Sequence, residues 1–233
     1  MEILSKIVEA WNAMSFVELW ANVMTVVCIF LAGRNNVHTW WTGIVASVLF
    51  GIVFYQANLY ADVTLQVFFI VTGFIGWYHW ITKANLYDLS PSGDGSEMIS
   101  KTETTPVSYA NSDQMIAYIF MAALIAGAYG WILHTYTNAF APWIDSTVLT
   151  FSIVAQLLLM SRKVQNWPVW VLVNTLSVPL YFSRELYLTS ALYAVFFVNA
   201  LVSWRTWVNL AKEQVVHRPT GLSITGTLSA TGS

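Results

Sequence analysis

The stretch NWPVWVLVNTLSVPLYF, residues 166–182, decides the fold. It is apolar enough to sit in lipid, yet it carries Trp167, Trp170 and Asn174 at helical spacing. Trp170, Asn174, Ser177 or Val178, and Tyr181 follow one another at i, i+4, i+7 and i+11, which is one stripe of a helix. Asn174 lies two turns beyond Trp167, roughly 10 Å deep at about 1.5 Å per residue. An unpaired amide facing acyl chains at that depth costs several kcal/mol. Asn174 must therefore face a neighbouring helix or a cavity. A helix–helix hydrogen bond is the simpler role, and a ligand site is the other.

The rest of the chain fits a bilayer. Of 233 residues, 57% are hydrophobic and 9% charged, where a soluble domain carries about 25% charge. The expected class is an all-α integral membrane protein. The net charge is −2 and no basic run suggests nucleic acid. Cys28 is the one cysteine, so no disulfide forms within the chain, and it reads as a small packing residue. The N-terminus carries Glu2 and Glu9 and no small-residue cleavage site, unlike a signal peptide.

Apolar runs at 16–33, 39–56, 61–82, 113–134, 145–161, 167–182 and 186–209 approach the length a membrane helix needs. They predict seven transmembrane helices. The chain divides into an N-terminal segment 1–15, a three-helix unit 16–83, a polar loop 84–112, a linker helix 113–134, a second three-helix unit 145–209 and a tail 210–233. In the first segment Leu4, Ile7, Val8 and Trp11 share a face, as in an interfacial helix. The loop is rich in Ser, Thr and Pro and reads as a loose surface segment. The tail ends in a Gly/Ser/Thr-rich stretch expected to be disordered. Seven spans put Arg34, Lys83, Lys101, Arg162, Lys163, Arg205, Lys212 and Arg218 on one side and Lys6 and Arg184 on the other. Basic residues concentrate on the cytoplasmic side, so the N-terminus is expected outside and the C-terminus inside.

The two three-helix units resemble each other. Aligned without gaps, 40–80 and 167–207 pair Trp40 with Trp167, Leu49 with Leu176, Leu59 and Tyr60 with Leu186 and Tyr187, and Leu65 with Leu192. Phe69 pairs with Phe196, Val71 with Val198, Trp77 with Trp204 and Trp80 with Trp207. Matched tryptophans are harder to obtain by chance than matched leucines. Units of three helices separated by one linker helix run parallel, a 3+1+3 arrangement with the expected site near mid-membrane between the units.

In that register Ser47 matches Asn174 and Gln66 matches Tyr193. The third run offers Gln66, Phe69, Gly73, Gly76 and Trp77 on one stripe; the last offers Tyr193, Phe196, Asn199 or Ala200, Ser203 and Trp204. The candidate substrate-binding residues are Ser47, Gln66, Phe69, Trp77, Trp170, Asn174, Tyr181, Tyr193 and Asn199, with Trp41 beside them. Near span ends, Trp40, Trp41, Trp80, Trp167 and Trp207 read more simply as interfacial anchors, Trp80 and Trp207 above all.

Absences narrow the chemistry. Glu18, Asp62, Asp113, Asp145 and Glu185 lie near span ends and no Lys or Arg sits mid-span. Ion-coupled transporters usually keep an ionisable group in the membrane, so passage without ion coupling is expected. There is no nucleotide-binding loop. The run 186–209 has no lysine for a retinal Schiff base, and His38, His79, His134 and His217 lack metal-ligand spacing. No mid-span nucleophile–base pair suggests an enzyme, and no cofactor is expected. Amides and aromatic rings suit a flat, neutral or cationic heterocycle; a phosphate would find no partner. The residues leave sugars, thiamine, riboflavin and a nicotinamide nucleoside open, and a membrane sensor or scaffold that binds without transport.

On WPVWVLVN followed by SVPLYF (Trp167, Trp170, Asn174), LQVFFIVTGFIGWYHW (Gln66, Phe69, Gly76, Trp77) and LYLTSALYAVFFVNALVSW, the sequence resembles the PnuC family of bacterial nicotinamide riboside transporters. The resemblance covers about 16–209. It implies a fold similar to SWEET sugar transporters and facilitated diffusion of nicotinamide riboside across the bacterial inner membrane. It also implies trapping by a separate cytoplasmic kinase and a homotrimer. Rings would take the pyridinium, and Gln66 and Asn174 the carboxamide or ribose hydroxyls.

Overall fold

The structure, a computed structural model, describes residues 2–56, 60–88, 106–137 and 140–216. The described chain forms eight helices: α1 (Glu2–Ala13), α2 (Phe16–Gly33), α3 (Thr39–Gln56), α4 (Tyr60–Asp88), α5 (Ser112–Tyr136), α6 (Pro142–Met160), α7 (Asn166–Ser183) and α8 (Tyr187–Val216). Local sequence sets several ends. Ser15 accepts a hydrogen bond from the Glu18 N–H and caps α2. Pro142 opens α6, with Asp145 in its first turn.

Six helices are long and apolar enough to cross a membrane: α2, α3, residues 65–82 of α4, α5, α6 and α8. The quoted stretch forms α7 as expected, but α7 is not among those six. Its Asn166, Asn174, Ser177 and Pro179 dilute its apolar character. Two boundaries differ from the sequence expectation. α4 runs on to Asp88, and α8 continues through a buried Ala211 to Val216, so the tail starts later. The remainder of the tail, 217–233, lies outside the described residues, as does 89–105 of the polar loop. The last part of that loop is not loose. Ser108 donates to the Arg162 carbonyl and accepts from Val164 N–H, while Val107 is buried.

Sequential helices pack as antiparallel neighbours: α2 on α3, α3 on α4, α5 on α6, α6 on α7 and α7 on α8. Two further contacts join the sets: α2 meets α8, and α4 meets α6. α1 rests on α8, where Lys6 pairs with Glu185 at 2.6 Å. At the same end Arg184, just past α7, pairs with Asp145 of α6 at 2.6 Å. Both pairs are partly exposed and each contributes about 0–1 kcal/mol.

At the opposite end the α2–α3 and α6–α7 turns share one geometry, in the register that pairs Trp40 with Trp167. Asn35 and Arg162 both adopt left-handed backbone, φ 53° and 51°. Asn36 N–H reaches the Leu31 carbonyl at 3.0 Å, and Lys163 N–H reaches that of Leu158 at 2.9 Å. The tryptophans that follow also correspond. Trp40 meets Trp80 edge-on at 5.3 Å and 84°; Trp167 meets Trp207 at 5.5 Å and 79°. Trp80 and Trp207 then touch each other at 6.4 Å, joining the two pairs. Trp80 donates to the Met160 carbonyl, and Trp207 to those of Ala32 and Gly33, with Met160 and Gly33 at matching positions.

This quartet corrects the anchor assignment. Trp40, Trp80, Trp167 and Trp207 are at most 3% exposed and form the core of this end of the bundle. Ring burial outweighs the pull of the headgroup region here because backbone carbonyls inside the bundle satisfy the Trp80 and Trp207 N–H groups. Close helix approach makes room for them: a Cβ on Gly76 would overlap the Trp40 ring, and one on Gly73 would press on Ile44.

Gly76→Ala is expected to destabilise the protein by about 1–3 kcal/mol through overpacking. Gly127→Ala, whose Cβ would enter open space, is expected to be neutral or to stabilise by up to about 1 kcal/mol from helix propensity. Thermal unfolding of the two variants in detergent checks the contrast.

Candidate substrate-binding site

α7 carries the decisive side chain. It packs between α6 and α8 and buries Trp167, Val173, Asn174, Ser177 and Leu180. Asn174 is 3% exposed and hydrogen-bonds to no described residue. The two neighbouring asparagines behave differently: Asn166 donates to the Lys163 carbonyl, and Asn199 donates across to the Ile29 carbonyl of α2. Asn199 is thus a tie between α8 and α2 rather than a free amide. Of the pair Ser177 or Val178, Ser177 is the buried one, and its Oγ has no partner.

The first three-helix set offers the matching groups. Ser47 of α3 is buried and hydrogen-bonds to no described residue. Gln66 of α4 is half-buried and faces α3, where a Cβ on Gly51 would lie 3.8 Å from its own Cβ. Phe69 is half-buried and meets Phe68 edge-on at 5.6 Å. Within the second set, Tyr181 and Tyr193 stack at 5.0 Å and 23°, with Phe196 against Tyr193 at 5.7 Å. Ser190 donates to the Val178 carbonyl and fixes α8 against α7 at this level.

The tryptophans separate by role. Trp170 is half-buried and packs on both hydrophobic clusters of the molecule. Trp77 is half-buried beside the tryptophan quartet. Trp41 is not brought to this group: it is 40% exposed on the outer side of α3, and its indole donates to His38 Nδ1 at 3.0 Å. The placement follows from helix geometry, because Trp41 is one residue, about 100° of rotation, from the inward Trp40. Trp40 and Trp167, which sequence reading assigned to the headgroup region, instead lie inside, and their indole N–H groups find no acceptor. The signal for them was present in the sequence, as pairs repeated in register and a glycine, Gly76, opposite a ring.

The arrangement is uncharged. It supplies amides and hydroxyls without internal partners, flanked by stacked tyrosines and tryptophan faces. Buried polar groups of this kind are normally satisfied, so they point to a guest or to water. Cations stay at the ends. Arg162 lies outside the spans, where burial lowers its pKa to about 9, leaving it cationic at neutral pH. Among the described residues no group of His, Cys, Asp or Glu could hold a metal ion.

The family described as nicotinamide mononucleotide transporter matches residues 15–209. The chain is 31% identical to the nicotinamide riboside transporter PnuC of Escherichia coli, over 86% of this chain and 88% of that one. It is 23% identical to the protein of that name from Neisseria mucosa, over 90% and 78%. It is also 26% identical to the riboflavin/roseoflavin transporter RibM of Streptomyces davaonensis, over 82% and 83%. A crystal structure of the vitamin B3 transporter PnuC has the same fold, with a TM-score of 0.65, 21% identity and coverage of 91% and 90%. Helices suited to a bilayer, an uncharged interior and relatives that are all transporters agree: the chain is a multi-pass membrane transporter, not an enzyme, and belongs to the PnuC family.

Proposed function

We propose that this protein carries nicotinamide riboside across the bacterial inner membrane by facilitated diffusion. The observation that carries the substrate is the 31% identity, over nearly the whole of both chains, to a relative named for that nucleoside. The described interior suits it. Ring faces attract a cationic pyridinium by about 0.5–2 kcal/mol each, and Asn174, Gln66 and Ser47 have hydrogen-bonding capacity to spare for a carboxamide and ribose. The family description names the mononucleotide, but a phosphate dianion needs Arg or Lys, and the sequence offers neither mid-span. The riboside is therefore preferred.

The architecture that goes with this proposal is seven spans in a 3+1+3 arrangement, with α5 as linker and α7 as the seventh span. The equivalent turns, the matched tryptophan pairs and the reciprocal contacts of α2 with α8 and α4 with α6 support it. The end bearing Arg34, Arg162, Lys163, Arg205 and Lys212 faces the cytoplasm, with the N-terminus outside. Transport is uniport, since no mid-span acid or base is available to couple ions. Retention then falls to a cytoplasmic kinase that adds the phosphate this path rejects. A homotrimer completes the proposal, with the broad apolar outer face of α5, including Phe120, Leu124 and Trp131, as its candidate contact.

Proteoliposomes enclosing such a kinase and ATP are expected to accumulate labelled nicotinamide riboside, and those without the kinase only to equilibrate. Collapsing proton and sodium gradients should leave the initial rate unchanged; a drop would establish ion coupling instead. In titrations of the purified protein, riboflavin or thiamine binding more tightly than nicotinamide riboside would move the substrate assignment to that vitamin. Asn174→Leu and Gln66→Leu are each expected to weaken binding by about tenfold, the loss of one buried hydrogen bond. Cys28→Ala, measured in the same calorimetric series, should change it less than about twofold, in line with a surface-like effect.

A further inference from the structure

The tryptophan end holds contacts that cross between the two three-helix sets. Trp80 of α4 donates to the Met160 carbonyl at 3.1 Å, and Trp207 of α8 donates to the Ala32 and Gly33 carbonyls at 3.2 and 3.1 Å. These contacts hold the two sets together at this end of the bundle. They are nearly symmetric, with one exception. The Arg162 guanidinium lies over the Trp80 ring, 3.9 Å from its centroid, whereas the matching position holds Asn35.

Arg162 is held under unfavourable conditions. It is 4% exposed, its backbone is left-handed, and its Nε and Nη1 have no partner. No described carboxylate pairs with it. A buried guanidinium resting on a ring face stays there only when the surroundings fix it.

Segment 106–111 supplies the fixing. Ser108 N–H bonds the Arg162 carbonyl at 3.1 Å, and Val164 N–H bonds the Ser108 carbonyl at 3.0 Å. Lys163 Nζ reaches Ser108 Oγ at 2.9 Å. Gln165 bonds both the N–H and the carbonyl of Ala110, at 2.8 and 3.2 Å. Gln214, near the end of α8, accepts from Val107 N–H at 2.8 Å. The segment thus straps the α6–α7 turn to the end of α8. In the matching α2–α3 turn Arg34 is exposed and sits over Phe30.

We propose that segment 106–111 is a latch on this end of the transport path: it holds the α6–α7 turn so that Arg162 stays on Trp80, and this end opens when the latch releases. The proposal rests on the transport reading, and it makes the stretch just before α5 a control element of the α6–α7 turn.

The test needs no substrate, so its outcome is independent of the substrate assignment. In a Cys28→Ser background, Ala200→Cys puts a thiol in the sealed tryptophan cluster, where Ala200 is 2% exposed. Its modification by a charged, membrane-impermeant thiol reagent is timed in vesicles with reagent on the Arg162 side. Gln165→Ala combined with Gln214→Ala is expected to speed modification by about tenfold, the population shift that follows loss of one or two net hydrogen bonds. Arg162→Gln is expected to speed it similarly, and adding it to the latch pair should give no further gain, because both act through one contact. Lys6→Ala, at the other end, should leave the rate unchanged. An unchanged rate in the latch pair overturns the proposal, as does a latch effect that multiplies with that of Arg162→Gln. If Arg162→Gln is not recovered as a monodisperse protein, the latch pair decides alone.

Discussion

Two indole N–H groups donated across the interface between helix sets organise this protein. Trp80 and Trp207 are fully buried, touch each other, and each spends its one donor on a carbonyl at the end of a helix from the opposite set. In a bilayer interior there is no hydrophobic force to press helices together, so packing and internal hydrogen bonds must do it. The two indoles do both at once. They also use up carbonyls left over where α2 and α6 end, groups that would otherwise need water. The shared turn geometry after those helices, with its left-handed Asn35 and Arg162, holds the accepting carbonyls in place.

Sealing one end in this way leaves the polar groups deeper along α7 as the chemistry of the interior. Asn174, Ser177 and Ser47 are buried without described partners, and Trp170 and Tyr181 share the α7 stripe with the first two. Neutral donors and acceptors beside ring faces discriminate by shape and hydrogen bonding rather than by charge. That is the chemistry the proposed nucleoside uniport requires.

Much of this was legible in the sequence. Composition fixed the class, apolar runs placed α2 to α8 though not the ends of α4 and α8, and the Trp40 to Trp167 register anticipated turns that match in backbone detail. The inward stripe of α7 was legible because Asn174 is too costly to expose. Three things were not. Trp40 and Trp207 looked like headgroup anchors because position along a span says nothing about which way a ring points; only the partner helix, with its Gly76, decides that. Trp41, expected beside the site residues, lies on the outer side of α3, because adjacent residues on a helix diverge. The docking of 106–111 could not be read, since its hydrogen bonds run to residues far away in the chain and its composition is that of an ordinary loop.

The modest hydropathy of α7 carries a consequence for how the protein is made. A segment bearing Asn166, Asn174, Ser177 and Pro179 has little drive to leave a translocation channel for lipid by itself. Its amides become tolerable once α6 and α8 stand on either side. As the proposed seventh span, α7 would partition as part of a helical hairpin, after or together with its neighbours. The polar residues that α7 buries thus tie its insertion to the packing of α6 and α8.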